Sequence, residues 1–111
     1  MLSVIDVDPH SAATGLPIGP YACTYVVMGA WNVGVLYVGR TGNWSRRRVL
    51  HAQSSPWWSE AVQVQLLHID FPSDPLGRTA KKAHIAIEDI LIKTLNPLRN
   101  GMPGRGGSKT A

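Results

Sequence analysis

A single cysteine, Cys23, stands among 111 residues. No disulfide can form within the chain, and a reducing compartment is the expected setting. The sequence also lacks any apolar run of about eighteen residues, so no transmembrane helix is expected. Its first residues, Met1, Leu2, Ser3, Val4, Ile5 and Asp6, put an acid where a secretory signal needs a basic stretch leading into an apolar one. These features together predict a cytoplasmic (intracellular) protein. His10, His68 and His84 have no metal-ligand spacing with one another or with Cys23, which argues against zinc. No Walker-type phosphate loop or Rossmann glycine pattern is present, which argues against a nucleotide-cofactor enzyme. Acidic residues are few, seven Asp and Glu against eleven Lys and Arg, for a formal charge of +4.

At 44% hydrophobic and 16% charged, the composition belongs to a globular chain, and its length suits one domain. The excess of cations favours a polyanionic partner, nucleic acid being the commonest. The cations are also clustered. Arg40, Arg46, Arg47 and Arg48 fall within nine residues, and Lys81, Lys82, Lys93, Arg99, Arg105 and Lys109 fill the last third.

Residues 1–21, with Pro9, Pro17 and Pro20, read as an N-terminal arm lying across the domain, with a short strand at 3–7. Residues 22–28 and 34–39 have the β-branched and aromatic content of two strands joined by a turn, a β-hairpin. Asn43 offers an N-cap, and 44–53 reads as a helix whose apolar positions Trp44, Val49, Leu50 and Ala52 fit a stripe only roughly. Ser54, Ser55 and Pro56 interrupt it, and 61–69 suits a third strand. Pro72, Pro75 and Gly77 impose a loop. Residues 78–95 carry the strongest helical pattern, with Ala83, Ala86, Ile87, Ile90, Leu91 and Thr94 at helical spacing, and Asn96-Pro97 ends it. Residues 101–111 read as a flexible basic tail. The expected fold is α/β (α+β), a three-stranded, mostly antiparallel sheet flanked by helices in the order β-β-α-β-α. Trp57 and Trp58 are expected to pack under the sheet edge, and Cys23 to be a buried small hydrophobe.

The hairpin carries Cys23-Thr24-Tyr25 on its first strand and Tyr37-Val38-Gly39 on its second. Arg47 and His51 follow on the helix, then Glu88, then Asn96-Pro97-Leu98-Arg99-Asn100. Ten residues separate Tyr37 from Arg47, four Arg47 from His51, and twelve Glu88 from Asn100. This set resembles the GIY-YIG nuclease domain over residues 22–100, with Cys23-Thr24 where Gly-Ile is usual. The resemblance implies a divalent-metal-dependent endonuclease that hydrolyses phosphodiester bonds, in DNA ahead of RNA. It gives Tyr25 and Tyr37 the two motif tyrosines, Arg47 the catalytic arginine, His51 the helix position of histidine or tyrosine, Glu88 the metal ligand, and Asn100 the orienting asparagine.

Elementary chemistry agrees with that assignment. Hard Mg²⁺ or Mn²⁺ prefers oxygen and retains water, so a single carboxylate plus substrate phosphate can hold one such ion. Arg47 and His51 share a helical face, where the arginine can clamp phosphate oxygens while its neighbour handles a proton. Tyr25, Tyr37 and His51 are the three candidates for the base. Gly39 lets the backbone approach a phosphate closely, and Arg40, Arg46 and Arg48 supply strand contacts. The ordinary structural reading of Glu88 is a glutamate on the solvated side of an amphipathic helix, as expected for its neighbour Asp89. Two alternatives stay open. One is a catalytically inactive nucleic-acid-binding module of the same fold; the other is a partner-binding subunit using the tryptophans. Sequence specificity would come from a homodimer, a separate targeting subunit or the tail.

Overall fold

The computed structural model describes residues 2–11, 16, 20–70 and 77–100. It is an α+β fold with a four-stranded antiparallel sheet. The strands are β1 (Leu2–Val7), β2 (Cys23–Met28), β3 (Val35–Thr41) and β4 (Gln63–Ile69), in the spatial order β1-β4-β2-β3. Helix α1 (Trp44–Ser54) and a short 3-10 helix (Pro56–Glu60) connect β3 to β4, and α2 (Arg78–Leu95) follows. The expected three-stranded sheet is thus corrected to four, and the order to β-β-β-α-β-α. The supposed N-terminal arm supplies the extra strand, pairing with β4 from Leu2↔Ile69 to Val7↔Val64. The short strand expected at 3–7 thus belongs to the sheet, starting one residue earlier. Ile5 and Val7 pack on the core, while Leu2 and Val4 remain more than half exposed. The expected proline loop at 71–76 and basic tail at 101–111 lie outside the described residues.

Strand β2 is central and almost entirely buried, which suits its run of Thr24, Tyr25, Val26 and Val27. Successive strand residues face opposite sides of the sheet. Thr24 faces α2, its hydroxyl donating to the His84 carbonyl at 2.8 Å. Tyr25 faces the other layer, where Trp44, Trp57 and Trp58 complete the main core with Val27, Leu36, Val64 and Leu66. The β2–β3 hairpin closes with Gly29 N–H donating to the Gly34 carbonyl, and Gly34 takes a positive φ of 89° that suits glycine.

Asn43 caps α1 as expected, its side chain accepting from Arg46 N–H. Asn96, left-handed at φ 47°, stops α2 at Leu95. The chain then runs along the outer edge of β3. Leu98 and Arg99 N–H groups donate to the Val35 and Leu36 carbonyls, which seals that edge.

Candidate functional site

Both helices bury titratable residues while leaving apolar ones in solvent. On α1 the two buried residues are Trp44 and His51, while Val49 and Leu50 are exposed. On α2 the two buried residues are His84 and Glu88, and Ile90 is 60% exposed. The apolar positions expected to face inward on α2 therefore include two, Ala86 and Ile90, that face solvent. The solvated-face reading of Glu88 is overturned, since it is only 5% exposed, whereas Asp89 lies at the surface in an ion pair with Lys93.

Tyr25, Tyr37 and His51 meet in one cluster. The Tyr25 hydroxyl lies 2.7 Å from His51 Nε2, and the Tyr37 ring stands edge-on to the imidazole at 5.2 Å. Trp58 stacks on His51 at 4.9 Å, and Trp57 on Tyr37 at 5.2 Å, so the expected packing tryptophans roof the cluster. Burial raises the Tyr25 hydroxyl well above the ordinary tyrosine pKa; Tyr37 adds to the rise and a hydrogen bond from Arg47 opposes it. Tyr25 is therefore protonated at neutral pH. In the imidazole tautomer protonated at Nδ1, the Tyr25 hydroxyl donates to His51 Nε2. His51 Nδ1–H then donates to Ser55 Oγ at 2.8 Å. Ser55 was not singled out from sequence; its one signal is its place four residues after His51, at the end of α1.

The Glu88 carboxylate comes from the opposite layer. Its Oε1 lies 3.4 Å from Arg40 Nε, an ion pair too long for a good hydrogen bond. Burial raises the Glu88 pKa, with Arg40 and then Arg47 pulling it back. Arg47, half-buried, is thus the electrostatic neighbour of both the Tyr25 hydroxyl and the Glu88 carboxylate. Arg40 faces the Glu88 side because it pairs across the sheet with Thr24.

Gly39 pairs with Tyr25 at the junction of these groups. A β-carbon there would lie 2.6 Å from Tyr37 Cε2 and 2.7 Å from the Tyr25 hydroxyl oxygen. The two tyrosine rings account for this glycine directly. Asn100 reaches Val38 rather than the cluster, its Oδ1 accepting from Val38 N–H at 2.9 Å and its Nδ2 donating to the Val38 carbonyl at 2.8 Å. It fixes the strand between Tyr37 and Gly39. Of the remaining arginines, Arg46 is exposed and Arg48 half-buried on α1.

A buried carboxylate that two arginines leave above its ordinary pKa is under-compensated, and a hard divalent cation suits such an oxygen donor. Among the described residues no cluster of three or more metal-ligating side chains occurs. No described helix is long and apolar enough to cross a membrane. No family model, curated protein or solved structure matches the chain.

Proposed function

We infer that the chain is a metal-dependent endonuclease of the GIY-YIG type that hydrolyses phosphodiester bonds in DNA. The observation that carries this reading is Arg47, within electrostatic reach of both the Tyr25 hydroxyl and the buried Glu88 carboxylate. These three side chains come from β2, α1 and α2, and together they frame a site for one phosphoryl group.

Glu88 would hold one Mg²⁺ or Mn²⁺, which when bound supplies positive charge to the phosphoryl oxygens and acidifies water. Arg47 clamps a non-bridging oxygen and offsets the charge that grows on it in the transition state. Tyr25 serves as a proton relay. Its oxygen takes a proton from the attacking water as its own hydroxyl proton passes to His51 Nε2, leaving an imidazolium steadied by Ser55. This makes His51 the terminal base, with Tyr37 positioning its ring. Burial, which raises the Tyr25 pKa, favours the neutral phenol as the resting form. Arg40 orients Glu88, and Asn100 fixes the strand that carries Tyr37 and Gly39.

Supercoiled plasmid incubated with Mg²⁺ or Mn²⁺ tests the reading. Nicking should require the metal, stop with EDTA, and fall at least about a hundredfold in Glu88→Gln and Arg47→Lys. Plasmid left intact by correctly folded protein in both metals would overturn it. Retained DNA binding in that case would favour the non-catalytic module.

A further inference from the structure

A second cavity, of about 520 Å³, opens at the end of the sheet, between the close of β3 and β4 and the first turns of α2. Its volume lies within the roughly 300–1,000 Å³ range of small-molecule sites. None of Tyr25, Tyr37 and His51 lines it. Arg40 does, and it joins the cavity to the site above, since its Nε is the group paired with Glu88.

The polar lining is specific. Arg40, which also pairs with Glu88 outside the lining, and Lys81 contribute two cations, and Asp70 is the one acid of the lining. His84, only 4% exposed, accepts from Ile69 N–H through Nε2 at 3.0 Å, so a neutral ring carries its proton on Nδ1. Burial first, and His68 second, lower its pKa and keep the ring neutral. His68 has the complementary arrangement. Its Nδ1–H donates to the Ala22 carbonyl at 2.6 Å, which leaves Nε2 as an acceptor. The two rings lie 5.7 Å apart and both line the cavity. In their neutral forms the two rings carry one free N–H and one free acceptor nitrogen between them, and a nucleobase edge offers groups complementary to both. Ala22, Ile69 and Ala80 add apolar wall against which a planar ring can lie.

We propose that this cavity binds one nucleotide, with its phosphate on Arg40 and Lys81 and its base edge on the His68–His84 pair. The proposal rests on the nucleic-acid reading above and adds to it a subsite for a nucleotide flanking the cleaved bond. Phosphate and base on one ligand are the shared chemistry of a free mononucleotide and a strand segment.

The test is a titration of the full chain, followed through the ring signals of His68 and His84 by nuclear magnetic resonance. The probes are the four deoxynucleoside 5′-monophosphates, the corresponding nucleosides, inorganic phosphate and a short single-stranded oligonucleotide. At least one monophosphate should saturate the shifts of both rings and bind more tightly than its nucleoside or phosphate alone. The exposed Lys81, changed in Lys81→Glu, should weaken that binding about tenfold. An oligonucleotide that outcompetes the monophosphate supports the strand segment, and the reverse order supports a free nucleotide. Ring signals unmoved by every nucleotide, or inorganic phosphate binding as tightly as the monophosphate, would overturn the proposal. Plasmid nicking separates the two readings. Saturable nucleotide shifts without nicking leave the subsite standing and remove the nuclease; nicking without those shifts does the reverse.

Discussion

Gly39→Ala isolates the role of the backbone beneath the two tyrosines. The added methyl would sit 2.6 Å from Tyr37 Cε2 and 2.7 Å from the Tyr25 hydroxyl oxygen, where ordinary contact begins at 3.4 Å. The Tyr37 ring must therefore retreat by about 0.8 Å, and the Tyr25 oxygen by about 0.7 Å. Neither has room to do so. Tyr25 is fully buried and bonded to His51, and Tyr37 is stacked on Trp57. Overpacking of this kind costs about 1–3 kcal/mol, which urea denaturation would register as a lower midpoint with unchanged slope. The same displacement breaks the 2.7 Å contact to His51, so nicking should fall by more than the loss of folded protein explains. The reasoning is refuted if Gly39→Ala matches the parent within about 0.5 kcal/mol and cleaves at the parental rate. In that event the glycine would serve only the approach of a phosphate or nothing at all.

Two further expectations concern single buried groups. His84 is held below the ordinary histidine pKa of 6.5 by burial and by His68, so the unfolded chain takes up this proton at a higher pH than the folded one. Its contribution is complete above 6.5 and is lost as the pH falls below that value. The urea midpoint should drop between about pH 7.5 and pH 5.5, and less so in His84→Gln, whose amide oxygen still accepts from Ile69 N–H; equal drops would refute the assignment. Burial pushes the Cys23 thiol up to about 12, so an alkylating reagent near pH 8 should leave the native protein unmodified and label it in urea. Native-state labelling at the denatured rate would contradict that burial.

Hydrophobic periodicity located α2, and the Asn43 cap with the Ser54-Ser55-Pro56 break located α1, each within a residue or so, but the apolar pattern gave the inner faces only in part. On α2 the apolar spacing selected Ala83, Ile87 and Leu91, which are half-buried, but also Ala86 and Ile90, which are exposed, and it passed over the buried His84 and Glu88. On α1 the apolar residues Val49 and Leu50 lie outside, and Trp44 and His51 lie within. A period-3.6 count rewards apolar side chains wherever they fall, so it fails where a helix turns titratable groups inward. Motif spacing instead singled out His51 and Glu88, which are among the buried residues of these helices. Tyr25, Tyr37 and His51 meet in one cluster, and Arg47 stands electrostatically between Tyr25 and the Glu88 carboxylate, which comes from the opposite layer. Sequence did not reveal what holds them: the Ser55 bond to His51, the Asn100 clamp on Val38, and the arginine from β3 beside Glu88. Each of these depends on a contact between residues whose proximity only the folded chain creates or, for Ser55, on how the helix ends. The strand at 3–7 was legible in the sequence, and only its pairing with the distant β4 needed the folded chain.

The burial of Glu88 separates the two main readings more sharply than the cations do. A module that binds nucleic acid by charge alone needs solvated lysines and arginines, which this chain has in Arg46 and Lys81. A carboxylate beside Arg40 and Arg47 works against such a module, because it neutralises part of their field and repels the phosphate they would attract. Burying it adds a desolvation cost, and the same helix leaves Ile90 in water. For simple binding, glutamine at this position would serve better on every count. The carboxylate becomes an advantage only where a divalent cation joins it to the phosphate. Glu88→Gln should therefore bind DNA more tightly than the parent without divalent ions, while losing the ability to nick it. Weaker binding by that variant in EDTA would mean that Glu88 supports the arginines structurally, and the case for a metal at this position would fall with it.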